Sequence, residues 1–106
     1  MPQIHHLSIA EFKERRNANS QTVTIDVRDD EKWERGHIPG AVHIQKSQIA
    51  KTIGSVVPLK GTEIICHCGG GQSGAKAAEL LAAMGYENVS VLDGGFRSYA
   101  ASNDVG

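Results

Sequence analysis

The sequence lacks several features, each of which would have pointed to a class of protein. Basic charge is not in excess: 11 lysines and arginines face 12 aspartates and glutamates over 106 residues, a formal charge of −1 with histidine neutral. Nucleic-acid binders draw most of their affinity from phosphate neutralisation, so this balance argues against nucleic acid as a dominant partner. No apolar run approaches the roughly 20 residues that cross a bilayer, which argues against a membrane-spanning helix. Only two cysteines occur, Cys66 and Cys68, too few for a disulfide scaffold and in keeping with a reducing compartment. On an extended segment their α-carbons would stand about 6.6 Å apart, near the upper limit for a bridge, so a Cys66 to Cys68 disulfide is the minor reading. Tandem repeats and low-complexity tracts are missing too. The opening Met1-Pro2-Gln3-Ile4-His5-His6 has neither the basic segment nor the apolar run of a secretory signal. The expectation is one cytoplasmic domain over residues 1–106, with 40% apolar and 22% charged residues to build its core and surface.

What is present is an alternation of strand-like and helix-like segments. Ser8-Ile9-Ala10-Glu11 has the S-x-x-E form of a capping box and predicts a short helix to about Arg16. Thr22-Val23-Thr24-Ile25-Asp26-Val27 is β-branched enough to be a strand that ends at Arg28. Asp29, Asp30 and Glu31 suit a helix N-terminus, with Gly36 as a left-handed stop after Arg35. Pro39-Gly40 fits the centre of a type II turn, followed by a short strand over 41–44 and a helix over 47–52. Residues 62–67 form the next strand, and Ala75, Ala78, Leu81 and Ala82 recur at helical spacing with Gly85 as their stop. Residues 89–92 are a further strand and 96–101 a last short helix. His5 and His6 are assigned to a mobile terminus. Strands alternating with helices imply right-handed crossovers and a parallel sheet covered on both faces, so the fold class is α/β. Ligands of such sheets sit beyond the carboxyl ends of the strands, which here carry Asp26 to Arg28, Cys68 with its glycines, and Asp93-Gly94-Gly95.

Cys68 lies between a strand and a helix, ahead of Gly69, Gly70 and Gly71, which let the backbone turn without side-chain clashes. Backbone amides of such a loop, together with the positive end of the following helix, stabilise a thiolate at its centre. The bland alternative is a small buried residue, but burial alone calls for no run of glycines. Cys66, inside an apolar strand, reads as core, with a resolving thiol as its alternative. Of the cations that could assist an anionic ligand, Arg28, Lys76 and Arg97 lie nearest the crevice, Arg28 first. A pairing of Arg28 with an acidic neighbour such as Glu34 is the competing reading. Asp26 reads as a backbone or arginine anchor and His37 as a hydrogen-bonding loop anchor. Strand alternation points His67 away from the face used by Cys66, which leaves it at most a supporting role.

Asp26-Val27-Arg28, Gly36-His37-Ile38-Pro39-Gly40-Ala41, Cys68 with its glycine loop and Leu92-Asp93-Gly94-Gly95-Phe96 together resemble a single-domain rhodanese, over about residues 7 to 100. The resemblance implies a five-stranded parallel sheet flanked by helices. It also implies that Cys68 accepts a sulfane sulfur as a persulfide, with no metal or organic cofactor. Members of that family often carry arginine at the sixth position of the loop, where this chain has Ser73. Thiosulfate and mercaptopyruvate sulfurtransferases have a hydroxyl residue there, which Ser73 resembles, and Gly69 is similar to the mercaptopyruvate group. Tyr99 stands for the family's usual tryptophan, a change expected to alter packing more than chemistry.

The chemistry this implies has two halves. The Cys68 thiolate attacks the outer sulfur of a donor such as thiosulfate, sulfite leaves, and cyanide, a small thiol or a protein cysteine then takes the sulfur. Amides from Gly69, Gly70, Gly71, Gln72, Ser73 and Gly74 would hold the persulfide charge, with Ser73 adding a hydroxyl and Arg28 a cation. The other reading is a sulfur carrier or sensor that docks to a partner protein. Phosphotyrosine phosphatases also use a cysteine loop, but they need arginine six positions after the nucleophile, and position 74 is glycine. A nucleotide-binding P-loop would need glycine at 75 and a hydroxyl at 77, and both are alanine. A metal site on Cys66, His67 and Cys68 lacks a second ligand pair at recognisable spacing.

Overall fold

Local chemistry fixes the ends of the helices. The computed structural model describes residues 4–69 and 72–103. Ser8 caps α1 (Ile9–Ala18) reciprocally: its hydroxyl accepts from the Glu11 amide at 3.2 Å, and the Glu11 carboxylate accepts from the Ser8 amide at 2.9 Å. Asp29 opens α2 (Asp30–Arg35) by accepting from the Lys32 amide at 3.0 Å. Gly36 ends α2, yet not in the left-handed helical region foreseen for it. Its φ of 151° and ψ of 145° are an extended conformation that belongs to glycine. Gly40, at φ 83°, makes the turn expected of Pro39-Gly40, closed by the Ala41 amide donating to the Ile38 carbonyl at 3.0 Å.

The helix expected over 47–52 starts as a 3-10 turn at Lys46–Gln48 and continues as α3 (Ile49–Val56). It passes its expected end because Ile49 and Ile53 lie one turn apart and both bury against the sheet. α4 (Gln72–Ala83) starts earlier than the periodic alanines suggested. It ends in a Schellman motif in which the Tyr86 amide donates to Leu81 and the Gly85 amide to Ala82, both at 3.1 Å. That turn carries Tyr86 fully inside, where its hydroxyl donates to the Val57 carbonyl at 2.6 Å. α5 (Gly95–Asn103) closes the described chain.

Five strands pair in parallel: β1 (His5–Leu7), β2 (Val23–Asp26), β3 (Val42–His43), β4 (Ile64–His67) and β5 (Val89–Leu92), in the order β1-β5-β4-β2-β3. β3 is shorter than the 41–44 expected. Side-chain alternation sends Ile25, Ile64, Cys66 and Val91 to one face, beneath α3 and the Ala77, Ala78 and Leu81 stripe of α4. Leu7, Ile65 and Leu92 go to the other, beneath Phe12 of α1 and Phe96 and Tyr99 of α5. Both faces of the sheet are therefore covered, the arrangement that an all-parallel sheet needs.

β1 corrects the assignment of His5 and His6 to a mobile terminus. Both are exposed, yet they pair in register with Ser90 and Val91, and buried Leu7 pairs with Leu92. Three residues with one apolar member carry too little periodicity to announce a strand; the open edge of β5 orders them. β4 lies at the centre, flanked by β2 and β5. The carboxyl ends of these three strands are therefore neighbours, and the segments they lead into carry Arg28, Cys68 and Asp93-Gly94-Gly95. No helix among the described residues is long and apolar enough to cross a membrane.

Candidate active site

Cys68 is the first residue beyond β4. Two positions on from Cys66, it turns to the same face, and both thiols belong to the cluster under α3 and α4. Neither is in a disulfide. Burial pushes the Cys66 thiol up to about 12, which keeps it protonated and inert, as its reading as core requires. Cys68 retains 7% exposure, and Gly69 beyond it opens onto a cleft of about 450 Å³. Arg28, Lys32 and Arg97 give this cleft three cations, and Phe96, Ala100 and Ala101 give it an apolar wall.

The backbone leaving Cys68 is held by the first turn of α5. The Phe96 amide donates to the Cys68 carbonyl at 2.8 Å and the Arg97 amide to the Gly69 carbonyl at 3.2 Å. These donors are among those a helix N-terminus leaves without intrahelical partners, so the two segments satisfy each other. Gly95 makes the approach possible. Its φ is 57°, and a β-carbon there would run into the Cys68 carbonyl. Gly74 is a second close approach, since a β-carbon would stand 3.2 Å from His67 Cα and 3.3 Å from Cys68 N.

Gly69 is different, and here the steric reading of the glycine run does not hold. Its φ is not positive, and a β-carbon would meet nothing within 4 Å. Gly95→Ala is therefore expected to cost about 2 kcal/mol or more, from left-handed strain plus displacement of the loop. Gly69→Ala is expected to stay within about 0.5 kcal/mol, and urea unfolding of the two variants checks the contrast. Gln72, Ser73 and Gly74 form the first turn of α4 rather than a separate loop, and Ser73 is half-buried there. Gly70, Gly71 and the Gln72 side chain, which the sequence also nominated, lie outside the described residues.

Arg28 pairs with Asp26 and not with Glu34. Its Nε lies 3.0 Å from both Asp26 carboxylate oxygens, and its Nη2 donates to Asp26 Oδ2 and to the Gly36 carbonyl, each at 2.7 Å. The reason is geometric: residues two apart at a strand end project to the same side. The guanidinium also lies 4.3 Å from the Phe96 ring centroid, so the end of β2 meets α5 through it, as the end of β4 does through the Phe96 amide. Nη1 has no hydrogen-bond partner among the described residues, on a side chain that lines the cleft. Burial alone would raise the Asp26 carboxyl, but hydrogen bonds from the Arg28 side chain and amide outweigh it and hold the group below the ordinary aspartate value.

Of the other nominated cations, Arg97 lines the cleft, whereas Lys76 is exposed on α4 and is not among the lining residues. Lys32 was missed. The signal was available: α2 starts directly after Arg28, so its first turn has to lie beside the crevice. His37 is the loop anchor expected of it, with Nδ1 3.0 Å from the Trp33 carbonyl. Trp33 itself is stacked between the rings of His37 and His43, at centroid distances of 3.5 and 4.7 Å.

A model of the rhodanese-like domain matches residues 8–102, nearly the whole chain. The chain belongs to the rhodanese family. It is 30% identical over 103 residues to the thiosulfate sulfurtransferase GlpE of Shewanella oneidensis, covering 97% of this chain and 99% of that protein. Among solved structures, a Rhodopseudomonas palustris protein of unknown function, described as a possible tyrosine phosphatase, superposes with a TM-score of 0.86 at 25% identity. That match covers 94% of this chain and 82% of the other. A rhodanese-like domain protein from Staphylococcus aureus gives a TM-score of 0.81 at 27% identity, covering 91% of each chain. The five-stranded parallel sheet with its helices is thus the rhodanese fold, with β1 lying just ahead of the matched span. Tyr99, where rhodaneses usually have tryptophan, meets Phe12 edge-on at 6.3 Å and lies 6.4 Å from Phe96, inside the cluster under α1 and α5.

Proposed function

We propose that this rhodanese transfers a sulfane sulfur through a persulfide on Cys68. The thiolate attacks the outer sulfur of thiosulfate, the sulfur–sulfur bond of the donor breaks, and sulfite leaves with its electron pair. Cyanide or a thiolate then attacks the outer sulfur of the persulfide and restores the Cys68 thiolate. The observation that carries the reading is the disposition of the first two peptides after β4. Their carbonyls are both taken by α5, beside a cleft with three cations. In a trans peptide the N–H points opposite to the C=O, so withdrawing the Cys68 carbonyl commits the Gly69 amide to the other side, where it can hold a sulfur anion. The first-turn amides of α4 add donors of the same polarity. Arg28, Lys32 and Arg97 supply attraction for a dianionic donor in a chain whose net charge is −1.

Phosphate-ester hydrolysis fits less well. It needs a guanidinium where Gly74 stands, and even a β-carbon at that position crowds the His67 and Cys68 backbone. The decisive experiment incubates the purified protein with thiosulfate and cyanide, measures thiocyanate, and weighs the intact protein after thiosulfate alone. Turnover with a mass gain of one sulfur atom supports the transferase. A mass gain without turnover is the outcome for a carrier. No gain at Cys68 removes sulfur transfer altogether.

A further inference from the structure

His67 is fully enclosed, on the face of the sheet opposite Cys66 and Cys68. Its Nδ1 lies 3.2 Å from the Cys68 carbonyl, which also accepts from the Phe96 amide. A carbonyl oxygen only accepts, so Nδ1 carries the ring proton in this bond. Nε2 is buried with no hydrogen-bond partner, 3.8 Å from Asp26 Oδ2. A phenyl ring would fill the same space without orphaning a polar atom. What imidazole adds here is its single hydrogen bond, and that bond goes to the peptide that starts the cysteine loop.

The Cys68–Gly69 peptide is trans, so fixing its carbonyl on the His67 and α5 side sends the Gly69 N–H to the opposite side. Cys68 projects to that opposite side, in the cluster under α3 and α4. We propose that His67 is a positioning residue for the sulfur-carrying loop: together with the Phe96 amide it clamps the Cys68 carbonyl and so aims the Gly69 amide at the side on which the Cys68 sulfur lies. The inference rests on the reading of Cys68 as the sulfur-accepting residue. It assigns His67 no contact with substrate.

Three substitutions separate this role from simple packing. Asparagine places its amide nitrogen where Nδ1 stands, glutamine places its own near Nε2, and phenylalanine has no donor. Each variant is checked for cooperative unfolding. It is then measured twice: for the rate at which thiosulfate loads one sulfur atom onto the protein, and for the pH profile of Cys68 alkylation by iodoacetamide, read by peptide mass.

His67→Phe and His67→Gln are expected to load sulfur on the order of tenfold more slowly, a milder loss than the roughly hundredfold for outright removal of such a donor. Their alkylation profiles should move to higher pH. His67→Asn is expected to restore most of both. Should the phenylalanine variant not fold, the asparagine and glutamine pair carries the comparison. Wild-type-like loading and alkylation in folded variants, or equal behaviour of asparagine and glutamine, would overturn the proposal. If the wild-type protein takes up no sulfur while alkylation still separates asparagine from glutamine, the transferase reading fails and the role of His67 stands.

Discussion

Cys68→Ser is expected to lower thiocyanate formation by at least about a thousandfold and to abolish the sulfur adduct seen by mass. A serine hydroxyl is intrinsically a far weaker acid and nucleophile than a thiol, and a sulfur–oxygen bond does not substitute for a persulfide. Cys66→Ser is the informative control, because the two thiols share one face of the sheet and differ in surroundings. Its turnover should remain within about threefold of wild type, while its stability falls by about 1–3 kcal/mol as a hydroxyl enters an apolar site without a partner. A resolving role for Cys66 predicts the reverse: a longer-lived persulfide on Cys68 and impaired transfer. Turnover that survives Cys68→Ser, or is lost in a folded Cys66→Ser, would place the chemistry elsewhere.

Asp26→Asn should be strongly destabilising. Both partners of the Asp26–Arg28 pair are buried, with side-chain exposures of 0% and 6%, so removing the carboxylate charge leaves a guanidinium without neutralisation in a poorly solvated place. About 3 kcal/mol is expected, the lower end for breaking a buried pair because asparagine keeps one acceptor. A domain of this size should then melt roughly 10–20 °C lower. Replacing both partners, as Asp26→Leu with Arg28→Met, should recover much of that loss and still weaken binding of an anionic donor, since a cleft cation has gone.

The same pair shapes the acid limb of stability. His67 is driven below the ordinary imidazole value of 6.5 chiefly by burial, against the upward pull of Asp26 and of its bond to the Cys68 carbonyl. A base with a depressed folded value loses its stabilising contribution as pH falls below 6.5 toward that folded value. Asp26, depressed below 3.8, keeps its contribution above 3.8 and loses it as pH falls through the folded value. Urea unfolding at a series of pH values should show both declines in the wild type and a smaller second decline in Asp26→Asn, the remainder coming from Glu63 and Glu11, which are also held below the ordinary glutamate value. A second decline of undiminished size in Asp26→Asn would show that Asp26 is not linked to folding.

Much of this arrangement was legible in the residues because the signals were local. The Ser8–Glu11 box, the Pro39-Gly40 turn and the alanine stripe of α4 each act within one turn of chain, and each element stands where its signal lay. What escaped depended on partners distant in sequence. β1 is ordered by β5. The extent of α3 is set by what Ile53 buries against. Close approach to the end of β4 calls for glycine at 74 and 95, both of which pack against the backbone of residues 67–69. The partner of Arg28 was half legible: Asp26, read as a backbone or arginine anchor, is both, whereas Glu34, named as the acidic neighbour of Arg28, ignored the strand alternation that puts Asp26 on its side.

The register of β1 also bears on how the chain is made. Leu7 is made before the other four described strands, yet its partner on the sheet, Leu92, belongs to β5, the last of the five in chain order. β1 therefore waits, without a template, until β5 has emerged, and its docking is a long-range closure of the kind that slows folding. Until β1 docks, the outer edge of β5 is unpaired, which makes that interval the one in which another chain could add to it.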